Sequence, residues 1–123
     1  MAKNIIKINR GDSYEFDVYL PDIKAIEAEN IEATDIIYFA LLYPRQRFED
    51  AILTFGYDHT DFIKEDAETK IMVKIAPKDT RCLAPGVYYY TVKLYRTILD
   101  KLTGHETEEV YTVIERTKFI INE

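Results

Sequence analysis

Polar and apolar residues alternate with a period of two along most of the chain, the pattern of strands whose successive side chains point to opposite faces. In "SYEFDVYL", Tyr14, Phe16, Val18 and Leu20 fall on one side while Glu15, Asp17 and Tyr19 fall on the other. "TKIMVKIA" sets Ile71, Val73 and Ile75 against Lys70, Met72 and Lys74. In "GVYYYTVKLYR", Tyr88, Tyr90, Val92 and Leu94 share a face and leave Tyr89, Thr91, Lys93 and Tyr95 opposite, so tyrosines stand on both sides of one strand. "DIIYFALLY", residues 35–43, is apolar on both faces. A central or covered strand reads that way, and the Ile and aromatic content with Pro44 favours strand over helix. "NIIKI", "AILTFGY" and "EEVYTVIER" are further strands, with "KFII" continuing the last one or pairing after a bend.

Turn residues punctuate these runs at Gly11-Asp12, Pro21-Asp22, Pro44, Pro77 with Asp79, Pro85-Gly86, and "DKLTGHE" with Gly104, which reads as a hairpin between two long strands. Only "DIKAIEAEN" has helical composition, and "DHTDFIKEDAE" has room for one short turn. The expectation is an all-β chain: a single immunoglobulin-like antiparallel β-sandwich of about seven strands over residues 1–123, with at most one or two short helical turns. A chain of 123 residues is long enough for one such core, and both ends read as strands, with no linker or repeat between them.

Composition narrows the function. The net charge of −6 argues against a sequence-independent grip on nucleic acid, which needs a surplus of Lys and Arg. No apolar run has the length of a signal peptide core or a membrane span, which points to a soluble protein made in the cytoplasm. The single cysteine, Cys82, closes no intrachain disulfide and reads as a small buried or half-buried apolar group rather than a nucleophile. His59 and His105 lie in polar loop-like segments away from a candidate nucleophile. Asp58, His59, Asp61, Glu65 and Asp66 gather without the spacing of a calcium loop, and Glu108-Glu109 or Glu15 with Asp17 are explained by an exposed strand face. The four glycines are far apart, so there is no phosphate-cradling loop. The reading is a protein without catalysis, metal or cofactor.

Ten tyrosines with no tryptophan is the unusual feature. Tyr14, Tyr88 and Tyr90 fall inward, where rings are buried and hydroxyls anchor at the edge of a core. Tyr89 and Tyr95 fall outward and, with Tyr38 and Tyr111 on neighbouring strands, are candidates for an aromatic interaction patch, since such rings are amphipathic and lose little entropy on ordering.

The stretch "IAPKDTRCLAPGVYYYTVKL" resembles a motif of bacteriophage tail and baseplate proteins: an apolar strand, Asp-Thr, a leucine, then Pro-Gly-x-Tyr-x-Tyr opening the next strand. Asp79, Thr80, Leu83, Pro85, Gly86, Tyr88 and Tyr90 occupy those places, and "IKINRGDSYEFDVYL" and "YTVIERTKFIINE" are similar to the opening and closing strands of such domains. The N-terminal β-sandwich of phage baseplate upper proteins is the nearest comparison, with immunoglobulin-like phage tail domains as cousins. The motif also has a local physical reading as a corner, in which Pro85 stiffens the approach, Gly86 takes an angle other residues resist, and Leu83 with Tyr88 closes one end of the core.

The resemblance implies a non-catalytic structural or adaptor protein of a phage or prophage particle, assembled in the bacterial cytoplasm. Its partners are then other virion proteins or copies of itself, as a homo-oligomer, without nucleic acid or membrane. The chain ends where a full baseplate protein continues toward a receptor-facing region, which suits a small stand-alone part. The alternative is a carbohydrate- or cell-surface-ligand-binding module in which exposed tyrosines stack on sugar rings.

Overall fold

The computed structural model describes residues 5–19, 35–65, 68–99 and 102–123. Eight strands appear among them, against the seven or so read from the pattern. They are β1 (Ile6–Asn9), β2 (Tyr14–Tyr19), β3 (Ile36–Leu42), β4 (Leu53–Tyr57), β5 (Ile63–Glu65), β6 (Glu68–Ile75), β7 (Gly86–Leu99) and β8 (Glu106–Asn122). One sheet has the order β1-β8-β7-β3-β4 and the other β2-β6-β5. Pairing is antiparallel except that β1 runs parallel to β8, with Ile6 opposite Phe119 and Ile8 opposite Ile121. The expected all-antiparallel arrangement is corrected there. Asn9 lies level with Asn122, and the chain then leaves through a turn in which the Asp12 N–H donates to the Asn9 carbonyl, so β1 hands over to β2 in the other sheet instead of folding back as a hairpin.

The two sheets share one core. Val18, Ile71, Val73 and Ile75 of the small sheet meet Ile6, Ile8, Ile37, Phe39, Leu41, Tyr90, Val92, Leu94, Phe119 and Ile121 of the large one, all buried. Phe16 bridges the layers, its ring centroid 5.9 Å from those of both Phe39 and Tyr90. The inward faces are those the alternation sets: Val18, Ile71, Val73, Ile75, Tyr88, Tyr90, Val92 and Leu94 are buried, and Tyr14 and Phe16 half-buried. Each fully buried side chain of this size contributes roughly 1.5–3 kcal/mol, so the shared face dominates stability.

β3 is flanked by β7 and β4 and buried on both faces: Ala40 and Leu42, turned away from the small sheet, are covered as fully as Phe39 and Leu41. A short turn at Phe48–Asp50 in the β3–β4 connection packs on that second face.

The Pro-Gly corner carries the chain from β6 in the small sheet to β7 in the large one. It contains a single helical turn, α1 (Pro77–Thr80), where the sequence showed only breakers. Proline is suited to the first helical position because its ring pre-sets the backbone and no N–H is lost. The Asp79 carboxylate accepts the Ala76 N–H at 2.7 Å, and the buried Thr80 hydroxyl accepts the Gly11 N–H at 2.9 Å, tying the corner to the β1–β2 turn. Leu83 is half-buried against the core, Pro85 is exposed, and Gly86 has φ +155°, an angle a Cβ resists. The Tyr88 hydroxyl donates to the Ala84 carbonyl at 2.6 Å while its ring is buried.

The helix expected over "DIKAIEAEN", the inward place of Leu20 and the Pro21-Asp22 turn lie outside the described residues. "DHTDFIKEDAE" holds one short turn at His59–Asp61. Cys82 corrects the expectation of burial: it is exposed, because in the corner Leu83 takes the inward position and Cys82 faces water. Among the described residues no helix is long and apolar enough to cross a membrane.

Candidate interaction surface

The face of the large sheet turned away from the core is built from alternate residues of its strands. β7 contributes Val87, Tyr89, Thr91, Lys93, Tyr95 and Thr97. Tyr38, Ala40 and Leu42 come from β3, opposite Lys93, Thr91 and Tyr89. Lys118, Thr112, Val110 and Glu108 come from β8, opposite Tyr89, Lys93, Tyr95 and Thr97.

Tyr38 and Tyr95 meet edge to face at 5.1 Å, and the Phe48 ring stacks on Tyr95 at 6.0 Å. The Lys93 ammonium lies over Phe48, 4.9 Å from its centroid. These contacts form a second, smaller aromatic cluster that fixes the β3–β4 connection to the sheet. Burial holds the Tyr95 hydroxyl above its ordinary pKa, helped by the negative fields of Glu108 and Glu49.

Of the four tyrosines proposed as a patch, the structure brings Tyr38 and Tyr95 together. Tyr89 shares their face, six residues along β7 from Tyr95, and is half-buried. Tyr111 does not join them: it pairs with Leu94 on the core side, packs against the core, and donates its hydroxyl to Glu109 at 2.5 Å. The reason is register, since the residue of β8 that shares the outer face at this level is Val110, opposite Tyr95.

β8 then breaks its own alternation. Pairing steps from Lys93–Thr112 to Val92–Ile114 to Tyr90–Thr117, so β8 spends extra residues around Val113 and at Glu115-Arg116. Bulges of this kind re-aim side chains and expose ladder carbonyls. Two buried threonines satisfy those carbonyls: Thr91 donates to the Ile114 oxygen and Thr117 to the Glu115 oxygen, each at 2.7 Å. The bulge opens a shallow groove of about 230 Å³ between Phe48, Lys93, Thr112, Glu115 and Arg116.

A feature absent from the sequence reading lies where β7 and β8 pass beyond β3. Arg96 Nε and Nη2 donate to Asp35 Oδ1 and Oδ2, both at 2.8 Å, with Asp35 fully buried and Arg96 3% exposed. The signal was present, because Arg96 shares the parity of Tyr90, Val92 and Leu94, and a charge at an inward position demands a partner.

The remaining candidates stand apart. Glu108 and Glu109 lie opposite Thr97 and Arg96, hence on different faces of β8, and Asp17 is engaged by Lys70 at 3.3 Å on the solvent side of β2. Asp58 accepts from the Thr60 N–H and hydroxyl and donates its own N–H to Asp61, which makes a local turn. Asp66 lies outside the described residues. Among the described residues no three His, Cys, Asp or Glu side chains gather as metal ligands. His105 is exposed in the β7–β8 turn.

No family model matches the chain, and no curated protein sequence matches it.

Proposed function

We propose that this chain is a non-catalytic structural or adaptor protein of a bacteriophage or prophage particle, from the tail or baseplate region, that works by docking the outer face of its large sheet on copies of itself or on neighbouring virion proteins. The observation that carries the reading is that face: a sheet surface with a covered central strand, a bulge tied by Thr91 and Thr117, and a connection fixed through Phe48, Tyr38 and Tyr95, bordered by the exposed Val87, Glu108, Val110, Arg116 and Lys118. Rigid faces of this kind lose little entropy on association.

An immunoglobulin-like sandwich is the finer reading of the fold. It is supported by the sheet orders β4-β3-β7-β8 and β2-β6-β5, which follow the C′CFG and BED orders of that architecture, and by a tyrosine at the start of β7 whose hydroxyl bonds to the backbone four residues upstream. The resemblance of the corner motif to phage tail domains supplies the particle.

The test is mass spectrometry of particles purified from the source bacterium after prophage induction, with the neighbouring genes read alongside. Copurification at a fixed ratio to tail proteins is the expected result. Absence from purified particles, with neighbours unrelated to tail or capsid parts, overturns it. Binding on a glycan array without particle association favours the carbohydrate module instead.

A further inference from the structure

We infer that the edge of the large sheet at β4 pairs with the same edge of a second copy, the two strands antiparallel about a two-fold axis at Phe55, so that one continuous sheet runs through both copies. This edge is a different surface from the outer face, and the contact is independent of the particle assignment.

β4 ends the large sheet, and its side away from β3 takes no strand among the described residues. The Ile52 N–H donates to the Leu41 carbonyl at 2.8 Å, so Leu41, and with it Phe39 and Ile37, turns its polar groups toward β4. Leu53, Phe55 and Tyr57 answer them, and Thr54 and Gly56 aim their N–H and C=O groups outward. Both residues are exposed, and among the described residues no hydrogen bond reaches these four groups. At Gly56 the exposure is that of the backbone itself, because there is no side chain and a Cβ would stand 3.1 Å from the Tyr38 ring. The Phe48 ring lies on the other side of β3, against Tyr95 and Lys93 of β7, so it does not cover this edge.

Sheet edges are ordinarily guarded by charges, proline or bulges, which stop them from pairing with other chains. The other three edge strands carry charges: Lys7 in β1, Glu15 and Asp17 in β2, and Lys64 and Glu65 in β5. Leu53–Tyr57 has no charge, no proline and no break in its register with β3. Among the described strands β3 alone shares that lack of charge, and β3 is paired on both sides. β4 has the composition of an interior strand in an edge position.

The register selects a second copy. With Phe55 on the axis, Thr54 of each copy faces Gly56 of the other as a hydrogen-bonded pair, and two bonds at each of the two Thr54–Gly56 rungs use every outward group. Moving the axis to Thr54 or Gly56 would set Gly56 against Ile52 or Thr54 against Asp58, whose N–H groups are already bonded to Leu41 and Asp61. On the axis Phe55 meets its own copy, and Leu53 meets Tyr57, at the close rungs where Cα atoms stand about 4.5 Å apart. These side chains are half-buried, with Phe55 stacked on Phe39 at 5.8 Å, and each gains an apolar cross-strand partner. The first charge along the strand, Asp58, stands opposite Ile52, so no like charges meet. An isologous contact of this kind closes at two copies. Five residues make a short edge at the low end of interface size, so the dimer is weak, with a dissociation constant of micromolar order or above.

Sedimentation equilibrium and amide hydrogen exchange, over a dilution series reaching millimolar concentration, test the inference with the unaltered chain, Thr54→Pro and Thr54→Val. Proline removes the outward N–H without touching the ladder to β3, and valine keeps it; thermal melts verify that both variants fold. The unaltered chain is expected to dimerise, and the Thr54 and Gly56 amides, which exchange fast in the monomer, to become protected as it does. Leu53, Phe55 and Tyr57 are protected by β3 at every concentration. Thr54→Pro is expected to weaken the dimer by about tenfold or more, since it removes two of the four bonds, and Thr54→Val by less than about threefold. A monomer at every concentration, a dimer in which those two amides still exchange fast, a folded Thr54→Pro that dimerises unchanged, or equal losses in the two variants each overturns it. Should Thr54→Pro not fold, amide protection in the unaltered chain decides alone. Those results leave the particle assignment standing, and absence from purified particles leaves the dimer standing.

Discussion

Replacing Asp35 tests whether the large sheet depends on the ion pair at its end. The carboxylate is fully buried and receives two N–H bonds from Arg96 at 2.8 Å, so Asp35→Ala leaves a guanidinium in a site from which water is excluded. Breaking a buried pair from one side costs about 3–5 kcal/mol, mainly because the surviving charge loses its counter-ion. A chain of 123 residues has a total stability of about 6–18 kcal/mol, so the loss is a large fraction of the whole. Arg96→Met keeps the apolar stem and strands the carboxylate instead, at a similar cost. The double variant Asp35→Leu with Arg96→Met strands neither charge and is expected to be more stable than either single variant, with a coupling of about 2 kcal/mol or more. Urea unfolding followed by circular dichroism measures all four proteins, with the slope m checked for constancy. Single variants that cost under about 1 kcal/mol, or costs that simply add, refute the argument that loss of the counter-charge is what hurts. Beyond Tyr95 the described residues of β7 pair only with β8, so the same substitutions should raise hydrogen exchange in that ribbon ahead of the rest of the sheet.

Three further outcomes follow from the core and the corner. Burial pushes the Tyr90 hydroxyl up to about 12. The unfolded chain ionises there near pH 10 while the folded chain keeps the proton, so stability is full below about pH 10 and falls by of order 3 kcal/mol as pH rises toward about 12. Tyr90→Phe should flatten that decline in alkaline urea titrations, and an unchanged slope contradicts the burial argument. Tyr88→Phe removes the bond to the Ala84 carbonyl and should cost about 1 kcal/mol in chemical unfolding, a cost absent if the hydroxyl is merely solvated. Tyr95→Ser loses the ring contacts with Tyr38 and Phe48 and should cost about 1–3 kcal/mol, whereas Tyr89→Ser should cost less than about 1. Equal melting losses would show that the two tyrosines are not held differently.

The period of two made the inward faces legible because one-sided burial leaves a strand little choice of face. That is why Val18, Ile71, Val73, Ile75, Tyr90, Val92 and Leu94 lie where the alternation puts them. The corner was legible for a different reason: Asp79, Thr80, Gly86 and Tyr88 act over a few residues of chain, so their chemistry is written locally. Pairing direction was not. Whether β1 runs with or against β8 depends on where the chain crosses between sheets, and a four-residue strand carries no sign of that. Tyr111 was misplaced because "EEVYTVIER" sets adjacent apolar residues side by side, so its local pattern does not choose a face, and the register with β7 puts Val110 outward and Tyr111 toward the core. The Asp35–Arg96 pair spans 61 positions, and only the parity of Arg96 hinted at it.

The aromatic residues on both sides of β7 therefore do two different jobs. Inside, Tyr88 and Tyr90 fill the core, with the Tyr88 hydroxyl bracing the corner. Outside, Tyr95 is consumed by Tyr38 and Phe48, which fixes the connection over β3 and leaves little free ring surface for a ligand to stack on. Under the proposed function, binding energy at this face would come from what those contacts leave exposed: Val87, Val110, and the opposed charges of Glu108 and Lys118. That shifts the weight from an aromatic patch to a patterned, electrostatically directional one, for which orientation is set by charge and affinity by a modest apolar area. An aromatic patch tolerates many partners, whereas a surface on which acid and base are separated along one strand, as Glu108 and Lys118 are on β8, restricts the orientation of any partner that docks there, which is the selectivity the proposed adaptor role requires.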